Sequence, residues 1–186
     1  MAREASKFTG SAYTTTLPKE SKIITLIARS NLADAFAITL PIDCSHDILH
    51  LANACLANPA PWVKALLWMR DVAVSVMGVK STSSIREKSK REGVKTIGFF
   101  PIQSQTDDEV VVGEADSHLT FWTSVLVRSC GASGESMSSQ RRELVLTTIV
   151  HCNNNFGRLY LWIITPFHKL IVPGSLNRAA RNGWKT

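Results

Sequence analysis

The chain has no long apolar run. Its most hydrophobic stretch lies in the last third and is broken by Pro166, His168 and Lys169. It falls short of the ~20 consecutive apolar residues a membrane span requires. Residues 1–17 are rich in Ser and Thr and lack the apolar block of a secretion signal. Four cysteines, Cys44, Cys55, Cys130 and Cys152, form no CxxC pair and no zinc-finger spacing. Reduced thiols and a cytoplasmic location are therefore expected. Catalytic signatures are missing as well. His46 and His50 have the i, i+4 spacing of a helical metal pair, but Asp47 stands where HExxH requires Glu. Gly78-Val79-Lys80-Ser81-Thr82 lacks the first glycine of a phosphate loop, and Gly131-Ala132-Ser133-Gly134 is one residue short of a nucleophile elbow. Neither a metal nor a cofactor is expected.

What is present fits one globular domain. The 186 residues suffice to bury a core, and 45% apolar with 19% charged content is ordinary. The net charge of +6 raises nucleic acid or an anionic surface as a partner. The basic residues are scattered, however, with local density only over 80–95 and 178–185. A nucleic-acid binder concentrates its charge on one face, so no nucleic-acid partner is expected.

Residues 1–18 read as a flexible arm and 19–182 as the domain. Ser21–Arg29 reads as a short strand, and Asp34–Pro41 as a strand with Phe36, Ile38 and Leu40 on one side. Ser45 or Asp47 caps a helix to Leu56, and Pro61 opens a second helix to about Met77. Strands follow over 98–105, 109–115, 118–129 and 142–153. The gaps at 106–108 and 116–117 are turn-sized, so the first three pair as an antiparallel meander. Asp107-Asp108-Glu109 reads as a solvated turn. Asn153-Asn154-Asn155 offers caps for a final helix over 156–172. Only Arg158, Thr165 and Lys169 share its polar stripe. An apolar arc that wide requires a helix clasped on two sides, lining a cavity, or packed on a partner. Helices segregated from an antiparallel sheet indicate an α+β fold.

Three blocks carry a family resemblance. The first holds Ala35-Phe36, Leu40-Pro41, Pro61-Trp62-Val63, Arg70-Asp71 and Gly78-Val79-Lys80. The second holds Phe100-Pro101, the stretch from Asp107 to Gly113, and Asp116-Ser117-His118-Leu119-Thr120-Phe121. The third holds His151, Asn153, Gly157-Arg158-Leu159-Tyr160, Pro166-Phe167-His168 and Leu170-Ile171-Val172. Together, over about 17–181, they resemble the bacterial domain of unknown function 2867. That family is similar to the START-like helix-grip proteins. The resemblance implies a curved antiparallel sheet wrapped around a long C-terminal helix, two short helices after the first strand, and an apolar ligand cavity. Relatives also occur fused behind nucleotide-binding reductase-like domains. Pro173-Gly174 departs from the pattern and is expected to end or kink the helix early.

The candidate site follows from these placements. Arg70 falls within the apolar face of its helix, so its guanidinium requires an anion: a ligand carboxylate or phosphate, or an internal bridge to Asp34, Glu114 or Asp116. His118, His151 and His168 sit in the family-like blocks as candidate polar groups in an apolar pocket. Phe121, Trp122, Tyr160, Ile164 and Phe167 are expected to supply contact area, and Trp62, Trp122 and Trp162 read as core or cavity lining. The expected function is binding of a small apolar or amphipathic molecule between sheet and helix. One alternative is a cyclase, hydratase or isomerase using a pocket histidine, marked by an inward-facing His–Asp pair. The other is an interaction module, as a homodimer or an oxidoreductase accessory.

Overall fold

A computed structural model describes residues 10–66, 93–130 and 141–185. The strands are β1 (Tyr13–Thr14), β2 (Leu32–Thr39), β3 (Thr96–Ile97), β4 (Phe100–Gln105), β5 (Glu109–Ala115), β6 (Leu119–Cys130) and β7 (Arg141–Cys152). The helices are a 3-10 helix (Ile24–Arg29), α1 (Ile48–Leu56) and α2 (Asn155–Arg181), with residues 61–66 also helical. The fold is α+β. Seven antiparallel strands in the order β1-β2-β7-β6-β5-β4-β3 form an open, curved sheet, and α2 packs across its inner face.

The meander appears as expected. Ile102↔Val112 and Glu109↔Leu126 fix β4–β5–β6, and β6 continues into β7 with Leu119 opposite Cys152. The alternation of the strands assigns each side chain to a face. Asp34, Phe36, Ile38, Val110, Val112, Phe121, Thr123, Val125, Leu144, Leu146, Thr148 and Val150 share the inner one. The outer one carries Ala35, Ala37, Val111, Trp122, Ser124, Val145, Thr147, Ile149 and His151.

Most of the inner core lies between the sheet, α1 and the second half of α2. Leu51, Cys55, Leu146, Val172, Leu176 and Ala179 meet there with Phe36 and Ile38. Asp47 caps α1, its side chain accepting from the Leu49 N–H at 2.9 Å, a contact worth about 1 kcal/mol. Trp184 follows α2 and is buried in the same core. A smaller cluster of Leu119, Val150 and Leu161 holds the first half of α2.

Several expectations are corrected. Ser21–Arg29 is not a strand: Ile24–Arg29 forms a 3-10 helix. Ile23, Leu26 and Ile27 from this segment cover Val111, Ile149 and Trp122 on the outer face. Glu109 is not solvated. It is buried, accepting from Ser21 Oγ at 2.6 Å, Ser124 Oγ at 2.5 Å and the Lys22 N–H at 3.1 Å. Residues 13–14 add β1 beside β2, and Tyr13 Oη donates to Glu143 at 2.5 Å.

Nor does Pro173-Gly174 end α2, which runs on to Arg181 through both prolines. Pro166 and Pro173 stand seven residues apart, two turns and hence one side of the helix. Pro166 is exposed there, so the carbonyl that loses its helical N–H partner is open to water. Trp162 lies on the solvent side at 75% exposed, not in the core or a cavity wall, and Trp62 is 47% exposed.

Candidate functional site

The start of α2 rests on the β5–β6 turn through a set of asparagine bonds. Asn154 caps the helix, accepting from the Gly157 N–H at 2.9 Å, while its amide donates to the Ser117 carbonyl at 3.2 Å. Asn153 donates from its side chain to the Asp116 carbonyl at 2.7 Å and from its backbone to the His118 carbonyl at 2.8 Å. The β5–β6 turn is thereby fixed beneath the helix start. His118, 1% exposed, stands edge-on to the Tyr160 ring with centroids 5.1 Å apart, and 5.6 Å from that of Phe156.

Between this anchored start and the packed second half of α2 lies a cavity of about 280 Å³. Its floor is the inner sheet face: Leu119, Phe121, Thr123, Leu146, Thr148 and Val150. Its roof is α2, through Tyr160, Ile164, His168, Ile171, Val172 and Ser175, one side of the helix by spacing. The wall comprises Cys55, Leu56, Pro59 and Val63 with Phe99, Phe100 and Pro101. Gly98 makes that wall possible. It holds φ 62° at the first position of the two-residue turn joining β3 to β4, a conformation that favours glycine, and so presents Phe99 and Phe100 to the space.

Polar groups on this lining are few: Glu114, Asp116, His118, His168, Tyr160 and two threonines among them. Asp116 Oδ2 lies 3.7 Å from His118 Nδ1, beyond hydrogen-bond distance. His168 is closer to its partner, with Nε2 3.0 Å from Asp34 Oδ1 on β2. Asp34 stands beside Thr148 across the β2–β7 register. Cys55 is fully buried, and loss of hydration pushes its thiol up to about 12, with a smaller contribution from Cys44. It is inert as a nucleophile at neutral pH.

Of the residues singled out from sequence, His118, Phe121, Tyr160, Ile164 and His168 converge on the cavity. Trp122 and His151 do not. Strand alternation places both on the outer face, where their rings meet edge-on at 5.8 Å. Phe167 is 43% exposed and does not line the space, because helical spacing turns it away from Ile164 and His168. Arg70 lies outside the described residues. The sequence reading raised Asp34 only as a bridging partner for Arg70. Its signal was its parity: an acidic residue on the same side of the strand as Phe36 and Ile38.

Among the described residues no His, Cys, Asp or Glu cluster suits a metal ion, and no helix is long and apolar enough to cross a membrane. The model of a family described as "Protein of unknown function (DUF2867)" matches residues 26–175. No curated protein and no solved structure gives a significant match.

Proposed function

The chain belongs to the DUF2867 family of proteins of unknown function, and from its cavity we propose that it holds a small, mostly apolar molecule between sheet and helix. One observation carries this reading: a largely hydrocarbon-lined cavity of about 280 Å³, with His118 and His168 among its few polar groups. A filled core has no reason to leave such a space, since each void forfeits dispersion contacts. The size sits near the low end of small-molecule sites, about 300–1,000 Å³, and a few polar groups in an apolar wall is their usual composition. Apolar burial supplies affinity, and a histidine orients a polar group on the ligand. The START-like likeness of the family is in keeping with such a role, as a fold-level analogy.

Native mass spectrometry of gently purified protein, with a denatured control, tests the reading. A reproducible small-molecule adduct that Ile164→Trp removes is expected, because the indole fills the space from its roof. Empty protein that also fails to take up small hydrophobic probes counts against it.

Self-association is a second reading, favoured by a separate observation. Leu159, Trp162, Ile163, Phe167 and Leu170 are exposed along the solvent side of α2 at helical spacing. Such a stripe suits a second copy of the same helix. Sedimentation across a concentration range tests it, and Trp162→Glu is expected to hold the protein monomeric at concentrations where the wild type is dimeric.

A further inference from the structure

We propose that His168 in the cavity roof and Asp34 beside it on β2 form a proton-transfer dyad, with His168 as general base toward an apolar, enolisable carbonyl compound. The inference rests on the cavity being a binding site.

Three features of the pair carry it. An ionised carboxylate only accepts hydrogen bonds, so the 3.0 Å contact to Asp34 Oδ1 places the proton of neutral His168 on Nε2. The lone pair is then on Nδ1, which makes no hydrogen bond among the described residues, while the ring lines the cavity. Finally, the site is sheltered: the two side chains are 18% and 16% exposed, and Asp34 Oδ2 is buried without a partner among the described residues. A carboxylate so placed gains when its neighbour becomes an imidazolium, since opposite charges in contact attract more strongly away from water.

The other histidine does not share the task. Tyr160, which packs on His118, and His168 are eight residues apart on α2, about 12 Å at the helical rise. One polar group on a small ligand cannot reach both.

The step balances without an outside reagent. Nδ1 takes the hydrogen next to the carbonyl as a proton, the C–H electron pair becomes the carbon–carbon double bond of an enolate, and the carbonyl π pair moves to oxygen. Return of the proton to the same carbon is exchange. Return to a conjugated carbon is isomerisation. His168 is the catalytic residue and Asp34 the positioning residue.

A probe independent of the natural ligand tests this. In 5-nitrobenzisoxazole a base removes the C–H proton, the N–O bond breaks, and a coloured cyanophenolate forms. Binding is read first, from NMR shifts of the Ile164 and Leu119 methyl groups. Wild-type protein is expected to open the probe with saturation, and His168→Gln to lose at least about 100-fold in kcat with KM little changed. Asp34→Asn is expected to lose about tenfold in kcat with KM little changed, because the ring loses the carboxylate that holds it. The comparison between proteins matters, since Cys55, Glu114, Asp116, His118 and Tyr160 also face the cavity. A probe that binds yet opens equally fast with wild type and His168→Gln overturns the dyad alone. A probe that leaves both methyl groups unmoved overturns the cavity reading and the dyad with it.

Discussion

A Cβ added at Gly157 would be driven into the carbonyl oxygen of His118. The first turn of α2 and the turn before β6 therefore touch backbone to backbone, and glycine is the residue that permits it. Gly157→Ala should cost about 2–4 kcal/mol, against the ~1 kcal/mol that alanine ordinarily adds to a helix. The His118 ring resonances should shift with it, because its carbonyl has to move away from Gly157 while its ring packs on Tyr160. Denaturant unfolding and NMR check both.

Gly174 lies in the same helix with nothing within 4 Å of an added Cβ. There the propensity term stands alone. Gly174→Ala should stabilise by about 0.5–1 kcal/mol, read as a raised unfolding midpoint. The two glycines thus predict opposite signs for the same substitution in one element.

Glu109 fastens the segment before the 3-10 helix to the outer face. Glu109→Ala leaves the Ser21 and Ser124 hydroxyls and the Lys22 N–H without their acceptor. About 1–3 kcal/mol should be lost, and brief trypsin treatment should cut first at Lys22 or Arg29. Unchanged cleavage in that segment would show that Ile23, Leu26 and Ile27 alone hold it.

Cys55 makes stability fall with pH. Its thiol is pushed up to about 12 in the folded protein, from an ordinary 9.0. The native state therefore keeps a proton that the unfolded chain releases above pH 9. Its contribution is fully present below about 9 and is lost as pH rises toward 12. The difference in unfolding free energy between wild type and Cys55→Ala should narrow over that window. In native protein at pH 8, Cys55 should resist alkylation while unfolded protein reacts at all four thiols.

Trp184 closes the core just past α2, at 4% exposed. Trp184→Ala should cost about 3–5 kcal/mol, with the end of α2 losing amide protection before the sheet does. Loss of protection spread evenly over the whole chain would instead mark the indole as part of one cooperative core.

The sheet was legible in the sequence because alternation and turn chemistry agree there. Residues 109–115 match β5 to the residue, and the strands on either side shift by only a residue or two. Phe121, Tyr160, Ile164 and His168, named from the sequence as candidates, do face the cavity. Trp122 and His151 were misplaced because an outer face covered by Ile23, Leu26 and Ile27 also attracts large side chains, and composition does not separate two buried faces. The 3-10 helix was missed because Ile24-Thr25-Leu26-Ile27 has strand-like content. Its tie is tertiary, through Ser21 and Glu109, 88 positions apart. Pro173 was over-read as a stop. A proline on the watered side of a helix loses one hydrogen bond but nothing from the core, and Val172 and Leu176 hold the helix on either side.

The order of the strands also dictates an order of assembly. β2 pairs along its whole length with β7, Leu32 opposite Val150 and Thr39 opposite Glu143. On a ribosome β2 emerges long before the strand that receives it. Until β7 arrives, its inner side, with Phe36 and Ile38, has no sheet to join, whereas β4, β5 and β6 can zip by local turns. Such non-local pairing makes folding slow and leaves an unfinished edge during synthesis. The nascent chain is then most in need of a chaperone while β2 waits, and the final event, β7 joining β2 and bringing α2 over the sheet, also closes the cavity.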